Sequence, residues 1–139
     1  EEKVAEYIRG LRPDYSVTLA HEMPDWSSLQ DLQYGDIWLK KGNNILYFDV
    51  KRGNRKGING VSFQSIRAYR GDYFIFTGFD FDPDTSYVIR AKVMKSYADT
   101  VKYNGDEVEL PSGSPGFYFQ PHIIRAASKL SVFTKNFLP

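Results

Sequence analysis

Two aspartates and a lysine lie in a stretch of this chain that the sequence predicts to be a β-hairpin. Residues 34–40 and 45–51 are rich in β-branched and aromatic side chains, and a Gly-Asn turn signal lies between them. A turn at that pair of residues would place Asp36 directly opposite Asp49. Because side chains alternate between the two faces of a strand, Lys51 would emerge on the same face as Asp49.

This arrangement suggests a specific chemistry. Side chains directly opposite each other in a hairpin have Cβ atoms about 5 Å apart, and like charges in such a pair destabilise it. A divalent cation between Asp36 and Asp49 would remove the repulsion, and Mg²⁺ is commonly held by one or two carboxylates with water and substrate phosphate. Lys51 could orient or deprotonate an attacking water, or offset charge on a phosphate. The sequence therefore suggests metal-assisted phosphodiester hydrolysis. The alternative is an exposed hairpin face with solvated charges.

The same residues resemble the signature of a known family. An Asp that opens one hairpin strand, with acid-x-Lys closing the next, is the signature of the PD-(D/E)XK, or restriction-endonuclease-like, nuclease superfamily. It is present here as Gly-Asp at 35–36 and Asp-Val-Lys at 49–51, with glycine in place of the family's proline. A literal Pro-Asp at 24–25 leads into a polar stretch, so we prefer Asp36. The resemblance covers about the first half of the chain, to about residue 78.

The resemblance implies an α/β fold with a restriction-endonuclease-like core. This core is a central mixed β-sheet flanked by helices, in the order α-β-β-β-α-β, followed here by a C-terminal hairpin and helix. We expect one domain over residues 1–139. The implied activity is that of a divalent-metal-dependent nuclease that hydrolyses phosphodiester bonds of nucleic acid, with DNA the favoured substrate. A non-catalytic nucleic-acid-binding module on the same fold, or a structural or interaction domain, remains an alternative.

The resemblance also implies a metal site. Asp36 and Asp49 would hold Mg²⁺ or Mn²⁺ together with the Val50 carbonyl, while Lys51 would position the attacking water. A helical glutamate commonly completes the site in this family, and Glu6 looks like the matching position.

Two site assignments have alternatives. Glu6 lies off the apolar stripe of the first predicted helix, and Glu2, one turn earlier, is an equally reachable carboxylate. Gln64 follows the acid-x-Lys motif at a distance where relatives often place a polar residue facing the metal or phosphate. The polarity of a first helical turn capped by Ser62 explains Gln64 about as well.

Basic residues that could bind phosphates follow the hairpin. They lie in a glycine-rich loop and in the helix predicted after it, and the glycines would let the backbone approach a ligand closely. Such a loop beside the metal site would give salt-dependent, sequence-independent binding. The predicted nucleic-acid-binding residues are Arg52, Arg55, Lys56, Arg67 and Arg70.

Local patterns predict the remaining elements, beginning with an amphipathic helix whose apolar stripe recurs at helical spacing. Asn-Gly near residue 104 is typical of a hairpin turn. Besides the central hairpin we expect a helix over 1–11, strands over 15–22, 72–79 and 86–94, a helix over 61–71, a hairpin over 101–110, and a closing helix over 122–137.

Composition limits the alternatives. The 139 residues are 42% hydrophobic, enough for one core. The chain has no cysteine, which excludes disulfides, a thiolate nucleophile and zinc-thiolate sites. It has no apolar run of membrane-spanning length and no signal-peptide pattern, so we expect a cytoplasmic protein without membrane contact. The net charge is only +1, so nucleic-acid contacts would need local clusters of basic residues. We expect a homodimer or one part of a larger polypeptide.

Overall fold

A computed structural model defines the fold. It describes residues 1–23, 35–53, 62–63, 71–98, 100–103, 106–109, 117–118, 121 and 124–139. The helical elements are α1 (Glu2–Leu11), a 3₁₀ turn (Ala20–Glu22), α2 (Ala91–Ala98), α3 (Leu130–Val132) and a π-helical turn (Phe133–Phe137). The strands are β1 (Ser16–Leu19), β2 (Ile37–Lys41), β3 (Asn44–Arg52), β4 (Ser62–Phe63), β5 (Tyr73–Thr77), β6 (Tyr87–Arg90), β7 (Thr100–Tyr103), β8 (Asp106–Glu109), β9 (Phe117–Tyr118) and β10 (Ser128–Lys129).

A six-stranded mixed sheet organises the described part of the chain. Its strand order is β1-β2-β3-β5-β6-β10. The strands β3 and β5 run parallel, and the other neighbours are antiparallel. The predicted α/β class with a central mixed sheet is therefore confirmed.

The central hairpin forms in the predicted register. Trp38 pairs with Tyr47, and Lys41 pairs with Asn44 next to the turn. Gly42 in the turn has a φ of 61°, a left-handed conformation that glycine adopts without a steric penalty. Local turn chemistry and the period of two thus fix which side chains share a face.

One face of the sheet is packed under α1. Ile37, Leu39 and Phe48 on this face are fully buried. They form one core with Val4 and Ile8 of α1. Fully burying side chains of this size contributes about 1.5–3 kcal/mol each, so α1 is firmly docked on the hairpin.

The opposite face carries the charged residues of β3 beside aromatic ones of β5. Asp49 pairs with Phe74, and Lys51 pairs with Phe76, in the parallel register. Both phenylalanines are buried, and their rings stack with centroids 5.9 Å apart. The two charged side chains of β3 therefore have apolar neighbours.

Arg12 connects α1 to the C-terminal residues. Its guanidinium donates hydrogen bonds to the backbone oxygens of Thr134, Leu138 and Pro139 at 2.9–3.0 Å. It also makes two hydrogen bonds to the Asp14 carboxylate, at 2.8 and 3.0 Å. These contacts hold the end of the described chain against the start of β1.

Several of the predicted element boundaries are wrong, two of them in the C-terminal half of the chain. The strand expected over 86–94 ends at Arg90, and helix α2 begins at Ala91. The sequence from Ala91 contains alanine, lysine and methionine, which are good helix formers, and a short apolar run alone does not distinguish a strand from a helix. The helix expected over 122–137 begins only at Leu130, because Ser128–Lys129 pairs with β6 as the edge strand β10.

The helix expected over 61–71 is wrong at its start. Ser62–Phe63 forms strand β4 paired with Phe117–Tyr118, so Ser62 does not cap a helix. Residues 64–70 lie outside the described residues. The predicted C-terminal hairpin is confirmed, since Thr100–Tyr103 pairs antiparallel with Asp106–Glu109.

The other predicted elements form with small changes at their ends. The first helix is present as α1, and the strand expected over 72–79 is present as β5. The strand expected over 15–22 ends at Leu19 and continues as the 3₁₀ turn. No helix in the described part of the chain has the length and apolar character needed to span a membrane.

Candidate functional site

The entry into β2 has a backbone conformation that requires glycine. Gly35 has a φ of 75°, and a Cβ at this position would lie 2.4 Å from the Phe48 carbonyl oxygen. Proline, which fixes φ near −65°, cannot adopt this conformation. Glycine at position 35 is therefore a steric requirement of this chain.

Asp36 lies just beyond the regular ladder between β2 and β3. The last ladder pair is Ile37 with Phe48, and the Asp36 N–H donates to the Phe48 carbonyl at 2.7 Å. On its other side the Asp36 carbonyl accepts a hydrogen bond from the Ala20 N–H at 2.9 Å. Asp36 is thus held by β3 and by the 3₁₀ turn that follows β1, but it is not a regular cross-strand partner of Asp49.

The Asp36 side chain takes over a hydrogen bond of the ladder. Continued by two residues, the hairpin register would pair Gly35 with Val50. Instead, Asp36 Oδ2 accepts the hydrogen bond of the Val50 N–H at 2.8 Å. This places the Asp36 carboxylate against the backbone between Asp49 and Lys51.

Asp49 and Lys51 form an ion pair on one face of β3. Lys51 Nζ lies 3.1 Å from Asp49 Oδ2, and the two side chains are 21% and 14% exposed. Charges in such a partly buried, apolar environment interact more strongly than charges in water. The attraction within this pair is therefore stronger than that of a fully exposed ion pair.

The predicted metal residues are brought together only in part. Asp36, Asp49, Val50 and Lys51 gather where β2 begins beside β3. Glu6 lies on the exposed side of α1. Among the described residues, no three His, Cys, Asp or Glu side chains lie close enough together to hold a metal ion, so Glu6 does not complete a cluster with the two aspartates.

A cavity of about 530 Å³ lies on the α1 side of the sheet. It is bounded by the beginning of α1 and by the ends of β3 and β5, and Val50 lines it. Glu2, the alternative helical carboxylate, lines this cavity, whereas Glu6 does not. The other charged or titratable lining residues are Glu1, Lys3, His21, Arg52 and Asp80.

An arginine and a phenylalanine pair in the wall of this cavity. The Arg52 guanidinium lies 4.2 Å from the centroid of the Phe79 ring, and Phe79 is 55% exposed. The sequence predicts Arg52 as a nucleic-acid contact, but it does not predict that Phe79 lies beside this arginine. Arg52 ends β3 and Phe79 follows β5, so only the fold brings the two residues together. An aromatic residue just after a strand is the one sequence feature that could indicate such a contact.

Several predicted residues cannot be placed. Arg55 and Lys56 of the basic loop lie outside the described residues. Gln64, Arg67 and Arg70 do so as well. The proposed phosphate contacts of the loop and following helix therefore stay predictions.

No model of a known protein family matches this chain, and no curated protein or solved structure matches it significantly.

Proposed function

We propose that this protein is a divalent-metal-dependent nuclease of the PD-(D/E)XK type, acting on DNA. The observation that carries the proposal is the grouping of Asp36, Asp49 and Lys51 around Val50. Asp36 is bonded to the Val50 N–H, and Lys51 is paired with Asp49. Such a grouping of two acids and a lysine suits hydrolysis of a phosphodiester.

The order of the elements supports the same proposal. A helix is followed by three antiparallel strands, β1 to β3, and then by β5, which is parallel to β3. A parallel neighbour needs a crossover connection. The order matches the α-β-β-β start of the implied core and its parallel fourth strand; between β3 and β5 the described residues contain β4 as their only element, so the second helix of that core stays a prediction.

The donor set suits a hard cation such as Mg²⁺ or Mn²⁺. Two carboxylates and the Val50 carbonyl are oxygen ligands, and Mg²⁺ usually keeps several waters besides one or two carboxylates. A cluster of three acids is not required for such a site. When bound, the cation would polarise the phosphate and lower the pKa of a coordinated water.

The protein residues would orient the metal ligands and offset negative charge on the phosphate. The Val50 N–H holds the Asp36 carboxylate in place, so its orientation is set before substrate binds. The Lys51 ammonium, 3.1 Å from Asp49, is placed to orient the attacking water or to offset charge on the phosphate. Preorganised groups of this kind act without reorganisation during the reaction.

A cleavage panel tests the proposal. Linear, circular, branched and single-stranded DNA, with RNA as a comparison, would be incubated with Mg²⁺ or Mn²⁺. We expect metal-dependent cleavage that Asp49→Ala abolishes and that Lys51→Ala slows by about 10²–10⁴-fold. Asp14→Asn is the matched control, because Asp14 also pairs with a lysine, Lys41, at 3.2 Å but lies away from the site.

The outcomes separate the three candidate functions. Full activity in both Asp49→Ala and Lys51→Ala would eliminate this active site. Nucleic-acid binding without cleavage by the wild-type protein would instead favour the binding module. A protein that neither binds metal nor nucleic acid would favour the structural or interaction domain.

A further inference from the structure

We propose that Arg52 and Phe79 form a stacking platform for an unpaired nucleobase, which enters the cavity beside α1. This inference rests on the proposed nuclease function and specifies the substrate: nucleic acid that is single-stranded or unpaired next to the cleavage site.

The exposure of Phe79 is the first observation. Phe79 is 55% exposed at the wall of the cavity, so its ring is accessible to a ligand there. Arg52 lies over its ring at 4.2 Å. The Gly53 N–H donates to the Thr77 carbonyl at 2.8 Å, which holds the two chain segments that carry Arg52 and Phe79 side by side. The two side chains are therefore adjacent before any ligand arrives.

Stacking is the interaction that such a pair offers. Unpaired bases stack on aromatic rings and on arginine guanidinium planes in many nucleic-acid-binding proteins. A base on either outer surface of the Arg52–Phe79 pair would extend the existing stack. Stacking needs no particular base, so the platform would tolerate any sequence.

The charges of the cavity favour a base over a phosphate. Glu1, Glu2 and Asp80 would repel an anion, while carboxylate oxygens accept hydrogen bonds from the amino groups of bases. Lys3 adds a donor at the same wall. The volume of about 530 Å³ is in the range of small-ligand sites, about 300–1,000 Å³.

The position of the cavity connects it to the proposed active site. Val50, whose neighbours in the chain are Asp49 and Lys51, lines the cavity. The cavity and the ion pair therefore lie on opposite faces of the same segment of β3. A base drawn into the cavity would leave its phosphate near the end of β3, and a fully paired duplex could not supply that base without unpairing it.

Binding measurements in chelator test the platform without any cleavage. The probe is a fluorescent single-stranded oligodeoxynucleotide, and the readout is its anisotropy. We expect Phe79→Ala to weaken binding by about 5- to 150-fold, the equivalent of one stacked base. Phe79→Tyr should bind as wild type does. Phe137→Ala is the matched control, since Phe137 is 59% exposed on a different surface, and it should not change binding.

A second probe, an oligonucleotide whose nucleotides lack bases, tests whether Phe79 contacts a base or another part of the strand. If a base stacks on Phe79, wild type and Phe79→Ala should bind the abasic strand equally. A loss in Phe79→Ala that persists on the abasic strand would overturn the proposal, as would equal loss in Phe137→Ala. Oligonucleotide binding that Phe79→Ala leaves unchanged would also overturn it, but would leave the nuclease proposal standing.

The two proposals can fail separately. Binding that depends on Phe79, with no cleavage under any metal condition, would refute the nuclease and keep the platform. If wild type binds no nucleic acid at all, both proposals are refuted.

Discussion

The Asp36 carboxylate accepts a hydrogen bond from the Val50 N–H at 2.8 Å, at the point where the backbone ladder between β2 and β3 has ended. The side chain therefore has a structural role in addition to the proposed metal-binding role. These two roles respond differently to substitution, because the hydrogen bond needs an acceptor whereas a metal needs a negative charge.

Two substitutions at Asp36 separate these roles. Asp36→Ala leaves the Val50 N–H without its acceptor and should lower the free energy of unfolding by about 1–3 kcal/mol. Asp36→Asn keeps an acceptor oxygen for the Val50 N–H and loses only the charge of that acceptor, so we expect it to be more stable than Asp36→Ala by about 1 kcal/mol. Urea unfolding in chelator measures both values. Equal destabilisation by the two changes would contradict this interpretation.

A glycine series tests the conformation at the start of β2. Gly35→Ala should lower the free energy of unfolding by about 2–4 kcal/mol, since left-handed strain and the overlap with Phe48 add together. Gly42→Ala has a similar φ, 61°, but open space around it, and should cost about 1 kcal/mol. Gly10→Ala, in α1 with open space, should stabilise by about 0.5–1 kcal/mol. Equal effects at Gly35 and Gly42 would exclude the close contact.

The sequence was sufficient to predict features that depend on local rules. The Gly-Asn turn and the period of two fixed the hairpin register. They also placed Asp49 and Lys51 on one face, where the ion pair is found. Both rules act within a few residues, so the chain alone contains the information.

Features that depend on distant contacts were not predictable in the same way. The predicted direct pairing of Asp36 with Asp49 extends the ladder by one residue too far, since the ladder ends at Ile37 and Phe48 and the preceding Gly35 has a left-handed φ rather than a strand conformation. The cavity joins α1, β3 and β5, so no spacing in the sequence indicates that Phe79 contacts Arg52. At residues 91–94 helix propensity outweighed an apolar run that also suited a strand.

Acid should weaken the contacts around Arg12. The hydrogen bonds from Arg12 hold the pKa of Asp14 well below its usual range, with a smaller contribution from Lys41. Since the pKa is lower in the folded state, the stabilisation is complete above the unfolded pKa, about 3.9, and is lost as the pH falls below it. Asp14→Asn should reduce the pH dependence of unfolding below about pH 4. Acid unfolding of wild type and Asp14→Asn, monitored by circular dichroism, measures this difference. The same dependence of unfolding on pH below about 4 in both proteins would contradict the prediction.

The last prediction concerns competition between Lys51 and a metal ion. The Lys51 ammonium pairs with Asp49 at 3.1 Å, so a cation that binds the same carboxylate must share or displace that charge. In chelator, Lys51→Met should be less stable than wild type, because the partly buried Asp49 carboxylate loses its counter-charge.

Adding Mg²⁺ or Mn²⁺ should raise the Tm of Lys51→Met more than it raises the Tm of wild type. Removing the competing ammonium tightens metal binding, and a ligand at 100 times its Kd stabilises the folded state by about 2.7 kcal/mol. Lys51→Met should therefore show a larger rise in Tm than wild type, although its cleavage is slow. Asp49→Asn should show a much smaller rise, because it lacks the charge that both cations need. Calorimetry of the three proteins, with and without metal, measures these responses. If Lys51→Met responded less than wild type, or if Asp49→Asn responded fully, Asp49 would not be the carboxylate that lysine and metal share.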